Sequence, residues 1–142
     1  MRKFNQPTII NLTNIMKPYE TTYKELVDEV KSIIEADIEN YEGSTLEDFH
    51  FDQFNADPYI IGTYQAKQWL TEKDVFNCID IVQEWEREVF GELQSDLSNP
   101  EKLASLVMYA VGERVLTDLA HELDIDYHSE LTQTDIDNIL SS

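Results

Sequence analysis

Cysteine occurs once in the 142 residues, at position 78. An intramolecular disulfide and a cysteine-built zinc site are therefore excluded. Glycine and proline number four each, so no linker or low-complexity tract divides the chain, and one domain is expected. Basic side chains are scarce, ten lysines and arginines against 29 aspartates and glutamates. Direct binding to nucleic acid needs clustered Lys and Arg on phosphates, and is not expected on that ground. An anionic lipid surface would repel the chain as well. No apolar run is long enough to cross a bilayer. The start, Met1-Arg2-Lys3-Phe4-Asn5-Gln6-Pro7, lacks the apolar stretch of a signal peptide. With the lone cysteine, this suits the cytoplasm.

Catalytic signatures are missing too. There is no phosphate-binding glycine loop, no dinucleotide fingerprint and no nucleophile elbow. His50, His121 and His128 follow no zinc spacing, and His121-Glu122 is an isolated dipeptide. No catalytic residue, no cofactor and no resident metal are expected. The stretch Asp124–Asp135 resembles a calcium loop in outline only. Ser129 replaces the required glycine, His128 is an unusual ligand, and Asp135 is shorter than the usual bidentate Glu. A helix cap by Thr132 with Asp135 explains the same residues more simply.

What is present is an apolar content of 42%, with 11% aromatics, beneath a net charge of −19. That composition builds a core, unlike a disordered acidic tail. The charge is uneven. Residues 1–18 carry three basic groups and no acid, and residues 19–57 carry twelve acids against two lysines. The pattern predicts a mainly α single domain of about five helices (19–142) behind a basic N-terminal segment (1–18). The run Thr8–Thr13 has strand composition but no evident partner strand.

Apolar spacing of three and four places the first helix at 22–41, with Thr22 and Glu25 as its capping box and Gly43 as its stop. Residues 44–56 read as an aromatic-anchored loop or a short helix. Asp57-Pro58 opens a second helix, 58–70. Thr71 and Asp74 open a third, ending at Phe90 before Gly91. Its inward residues are expected to be Val75, Phe76, Ile79, Val82, Val89 and Phe90, with Ile81 and Trp85 to one side. Asn99-Pro100 opens the fourth, to Leu123, whose apolar first half marks the central core helix. Gly112 within it points to a close helix contact. Thr132 and Asp135 start the last. Asp37 and Glu86 fall on apolar faces, as buried polar groups or subunit contacts. Cys78 is expected as an inert, partly buried thiol.

The chemistry lies in the acids. Asp80, Glu84 and Glu88 form a row at four-residue spacing with no lysine interleaved. Each such like-charged pair destabilises a helix by a few tenths of a kcal/mol. Glu25, Asp28, Glu35, Glu39 and Glu42 group on the outer face of the first helix, partly offset by Lys24 and Lys31. Glu47, Asp48 and Asp52 complete the dense second quarter. Carboxylates four apart rise by about 6 Å, so a row offers Arg and Lys an anionic ladder comparable with a nucleic-acid strand. Trp85, if exposed beside such a row, is an interface anchor.

On these rows, the size, the charge and the missing active site, the chain resembles the small acidic DNA-mimic proteins with which phages and mobile elements block host defence, the anti-restriction and anti-CRISPR proteins. The resemblance covers composition and no family motif. It implies an inhibitor that occupies the basic groove of a nucleic-acid-binding protein, a nuclease or effector complex, in a bacterial cytoplasm. Two other readings stand beside it. One is a helical adaptor docking through the apolar surface around Ile81 and Trp85. The other is acidity as salt adaptation. Apolar positions in excess of one stripe on the second to fourth helices also allow a homodimer.

Overall fold

The computed structural model describes residues 18–54, 68, 70, 75–92 and 98–142. Among them are five α-helices and no strand: α1 Pro18–Asp37, α2 Leu46–Phe54, α3 Ile79–Phe90, α4 Pro100–Leu123 and α5 Gln133–Leu140. Two 3-10 turns, Ile38–Tyr41 and Val75–Cys78, lead out of α1 and into α3. This is the mainly α arrangement that the sequence pattern predicts. None of the described helices is long and apolar enough to cross a membrane. The Thr8–Thr13 run, the Asp57-Pro58 cap, the Thr71–Asp74 start and all but two positions of the 58–70 helix lie outside the described residues.

The apolar first half of α4 makes it the axis. Asn99 accepts the Lys102 N–H at 2.9 Å, Pro100 occupies the first turn, and Asp124 closes the helix at φ 56°. α1, α2 and α3 each pack on it. Leu103, Val107, Met108, Val111 and Leu116 of α4 meet Leu26, Val30 and Ile34 of α1, Phe49 and Phe54 of α2, and Ile136 and Ile139 of α5 in one core. Gly112 faces the Phe54 ring so closely that a Cβ there would lie 2.7 Å from its Cγ. The close helix contact expected at this glycine is therefore made by the face of an aromatic ring.

α1 starts at Pro18, one turn before the expected cap, because proline fits a first helical turn. Thr22 is thus inside the helix. α1 also tightens into a 3-10 turn at Ile38 instead of running on to Tyr41. The ambiguous stretch after Gly43 is a helix. Thr45 and Asp48 cap it reciprocally: the Asp48 N–H donates to Thr45 Oγ1 at 3.0 Å and the Thr45 N–H to Asp48 Oδ2 at 3.2 Å. α3 ends as expected at Gly91, which takes φ 80° and donates its N–H to the Arg87 carbonyl. Its inward face is rotated from expectation. Cys78, Ile81, Val82 and Trp85 are buried, whereas Phe76, Val89 and Phe90 are exposed. Cys78 is fully enclosed instead of half-covered. Thr132 and Asp135 form the predicted capping box of α5.

Candidate acidic interface

The rows survive folding as surface, but their surroundings differ from the sequence expectation. Asp80, Glu84 and Glu88 are all exposed on α3. Across from them stands Arg114 of α4, whose guanidinium hydrogen-bonds Glu88 and lies 3.7 Å from Glu84 Oε1. The Tyr23 phenol of α1 lies within electrostatic reach of the same guanidinium. Burial disfavours its charge, yet Glu88, Tyr23 and Glu84 together outweigh that and raise its pKa above the ordinary value. The row that looked bare along its own helix is therefore partly neutralised by a cation 26 residues away in sequence.

On α1, Glu25, Asp28 and Glu35 are exposed. Glu39 and Glu42 are exposed too, but they sit on the 3-10 turn and the turn after it. The row therefore bends at Ile38 instead of continuing straight.

Trp85 is not an exposed anchor. It is 8% exposed, its indole N–H donates to Glu113 Oε1 at 2.7 Å, and its ring meets Tyr109 and Phe90 edge-on at 5.8 Å. An apolar ring with one polar handle is stable in that setting. Ile81 is likewise buried, so the adaptor surface expected around this pair is not a surface. Glu86 is 1% exposed, as its place on an apolar face implies, and Asp37 is half-buried.

A second carboxylate surface forms where two distant stretches meet. Gly43 donates to the Leu131 carbonyl at 2.9 Å, Leu131 to the Ser44 carbonyl at 2.7 Å, and Glu47 to the Tyr127 carbonyl at 3.2 Å. These bonds bring Glu42, Glu47 and Asp48 beside the loop bearing Asp126 and Glu130, all exposed. No lysine or arginine occurs between Lys31 and Lys67, or after Arg114. His128 faces this surface, its Nδ1 3.3 Å from Glu47 Oε1. Asp52 accepts from the Tyr41 hydroxyl at 3.0 Å, and Gln53 donates to the same hydroxyl at 3.3 Å. Asp126 accepts the His128 N–H at 2.9 Å, and that bond, with Ser129, holds its carboxyl below the usual range.

Two groups went unflagged by sequence reasoning. His50 is 3% exposed, its Nε2–H donates to the Tyr109 carbonyl at 2.9 Å, and burial lowers its pKa. The signal was its place between Phe49 and Phe54 on the inner face of α2. The Tyr127 hydroxyl is buried without a hydrogen-bond partner, and burial, then Glu113, pushes its pKa up. Among the described residues no group of three or more His, Cys, Asp and Glu side chains is placed to hold a metal. In the 124–135 loop, Asp126 and Asp135 serve turns and the α5 cap. No protein-family model, curated protein or solved structure matches this chain.

Proposed function

We propose that the chain is a non-enzymatic inhibitor of a basic nucleic-acid-binding protein, a host-defence nuclease or CRISPR effector, acting in the host cytoplasm. The observation that carries this reading is the carboxylate surface joining the 42–52 and 126–130 stretches, which neither stretch dilutes with lysine or arginine. Such a surface gains the steering and counterion-release terms that a phosphate backbone gains with Arg and Lys. It also costs self-repulsion, which stability alone would not favour.

The test is capture from a bacterial lysate on the immobilised protein at low and high salt, with mass identification. A nuclease or other nucleic-acid-binding protein should elute with salt. It should be lost when Glu42, Glu47, Asp52 and Glu130 are reversed to Lys. Retention at high salt and after reversal would overturn the reading. A second reading, an adaptor that docks by apolar contact, draws support from exposed Phe76, Val89 and Phe90. In that case Phe90→Ser weakens capture more than charge reversal does.

A further inference from the structure

We propose that the solvent face of α2, centred on Phe51, is where such a partner docks, and that its occupant is an arginine-bearing segment. This rests on the acidic-surface reading above and gives it a place and a chemistry. Phe51 is 57% exposed, the most exposed of the large apolar side chains described. It lies four residues after Glu47 and three after Asp48, hence on one side of the helix with both, and next to Asp52.

All three carboxylates are held by one identified oxygen: Glu47 Oε1 by His128, Asp48 Oδ2 by the Thr45 N–H, and Asp52 Oδ2 by the Tyr41 hydroxyl. A carboxylate accepts at about four lone-pair positions, so each keeps capacity for a partner's donors while its orientation is fixed. The inner face of α2 is fixed as well, by Phe49, Phe54 and the His50–Tyr109 bond. The α3 row differs in that Arg114 sets a guanidinium charge against Glu84 and Glu88, which opposes the approach of a second cation.

An exposed ring with oriented carboxylates beside it selects arginine over lysine. The guanidinium stacks flat on an aromatic face while its forked donors reach carboxylate oxygens, whereas an ammonium is a strongly hydrated point charge. A second copy of the chain is the wrong occupant, since each copy carries −19.

The experiment is a backbone-amide NMR titration of the whole chain with hexa-arginine and, separately, hexa-lysine. The amides of 46–54 should reach half-saturation at about two- to fivefold lower hexa-arginine than hexa-lysine, the range of an exposed cation–π contact. Phe51→Ala and Phe51→Leu should erase that preference while leaving the melting temperature and the salt-sensitive binding elsewhere intact. The inference is overturned if 80–88 respond before 46–54, if the preference persists in Phe51→Ala, or if Phe51→Leu retains it. It is also overturned if sedimentation shows a dimer sealed through this face. Absence of salt-sensitive binding by either peptide anywhere would instead overturn the acidic-surface reading itself.

Discussion

Gly112→Ala sets helix propensity against packing. Alanine should stabilise the middle of α4 by about 1 kcal/mol over glycine. The added Cβ, however, would fall 2.7, 2.8 and 3.0 Å from three ring carbons of Phe54. The nearest approach is about 0.7 Å inside the 3.4 Å edge of ordinary contact. Phe54 is fully buried and its ring is no flexible tip, so it cannot swing aside into solvent. Overpacking of a closed core costs about 1–3 kcal/mol. The net expectation is a loss of up to about 2 kcal/mol, against the gain that propensity alone forecasts. Urea unfolding followed by circular dichroism measures it. The decisive comparison is the same substitution in a Phe54→Ala background, which lacks the Cγ and both Cδ atoms that the new Cβ would meet. Whatever Phe54→Ala itself costs, the clash is there removed, and Gly112→Ala should be neutral or stabilising by up to about 1 kcal/mol. If Gly112→Ala stabilises the wild-type background, or if the two substitutions add without coupling, the reasoning fails.

Three further outcomes follow from the same geometry. Burial lowers the His50 pKa in the folded chain, so below its ordinary value of 6.5 the unfolded state takes up a proton that the folded state resists. Stability should then fall as pH drops from 7 to 5, with this residue contributing at most about 1.4 kcal/mol per pH unit, and His50→Gln should remove that share of the slope. Trp85→Phe keeps an aromatic ring but deletes the N–H on Glu113 together with the second ring of the indole; it should cost at least about 1.5–3 kcal/mol in denaturant unfolding, the range for a bond to a charged acceptor, and leave charge-driven capture unchanged. Arg114→Gln should cost no more than about 1 kcal/mol, because both glutamates are solvent-exposed and water screens the pairs. It also frees the α3 row, so binding of hexa-lysine at 80–88, followed by amide shifts, should strengthen; no change would show that Arg114 does not neutralise the row.

How much was legible varied with how local the cause was. Caps and stops are local, so Asn99-Pro100, Gly91 and the Thr132–Asp135 box marked their helix ends from sequence. The charge and its concentration in residues 19–57 are pure sequence, as is the helical spacing that keeps Asp80, Glu84 and Glu88 in a row. Glu86 and the close approach at Gly112 were visible because each breaks a pattern: a charge on an apolar face, a glycine inside a helix. The rotated face of α3 was not visible. Its apolar residues cover more than one stripe, and which of them are buried depends on where α4 lies. Trp85 turned inward because Glu113 offers its N–H an acceptor. Phe51 was left outward because Phe49, His50 and Phe54 fill the space against α4. The sequence by itself determined a helical, strongly acidic chain and most of its helix ends, since those depend on neighbours a few residues apart. Only the tertiary structure decided which acids meet, because Arg114 reaches Glu84 and Glu88 across helices while the 43–47 and 127–131 backbones pair and bring two stretches without lysine or arginine together.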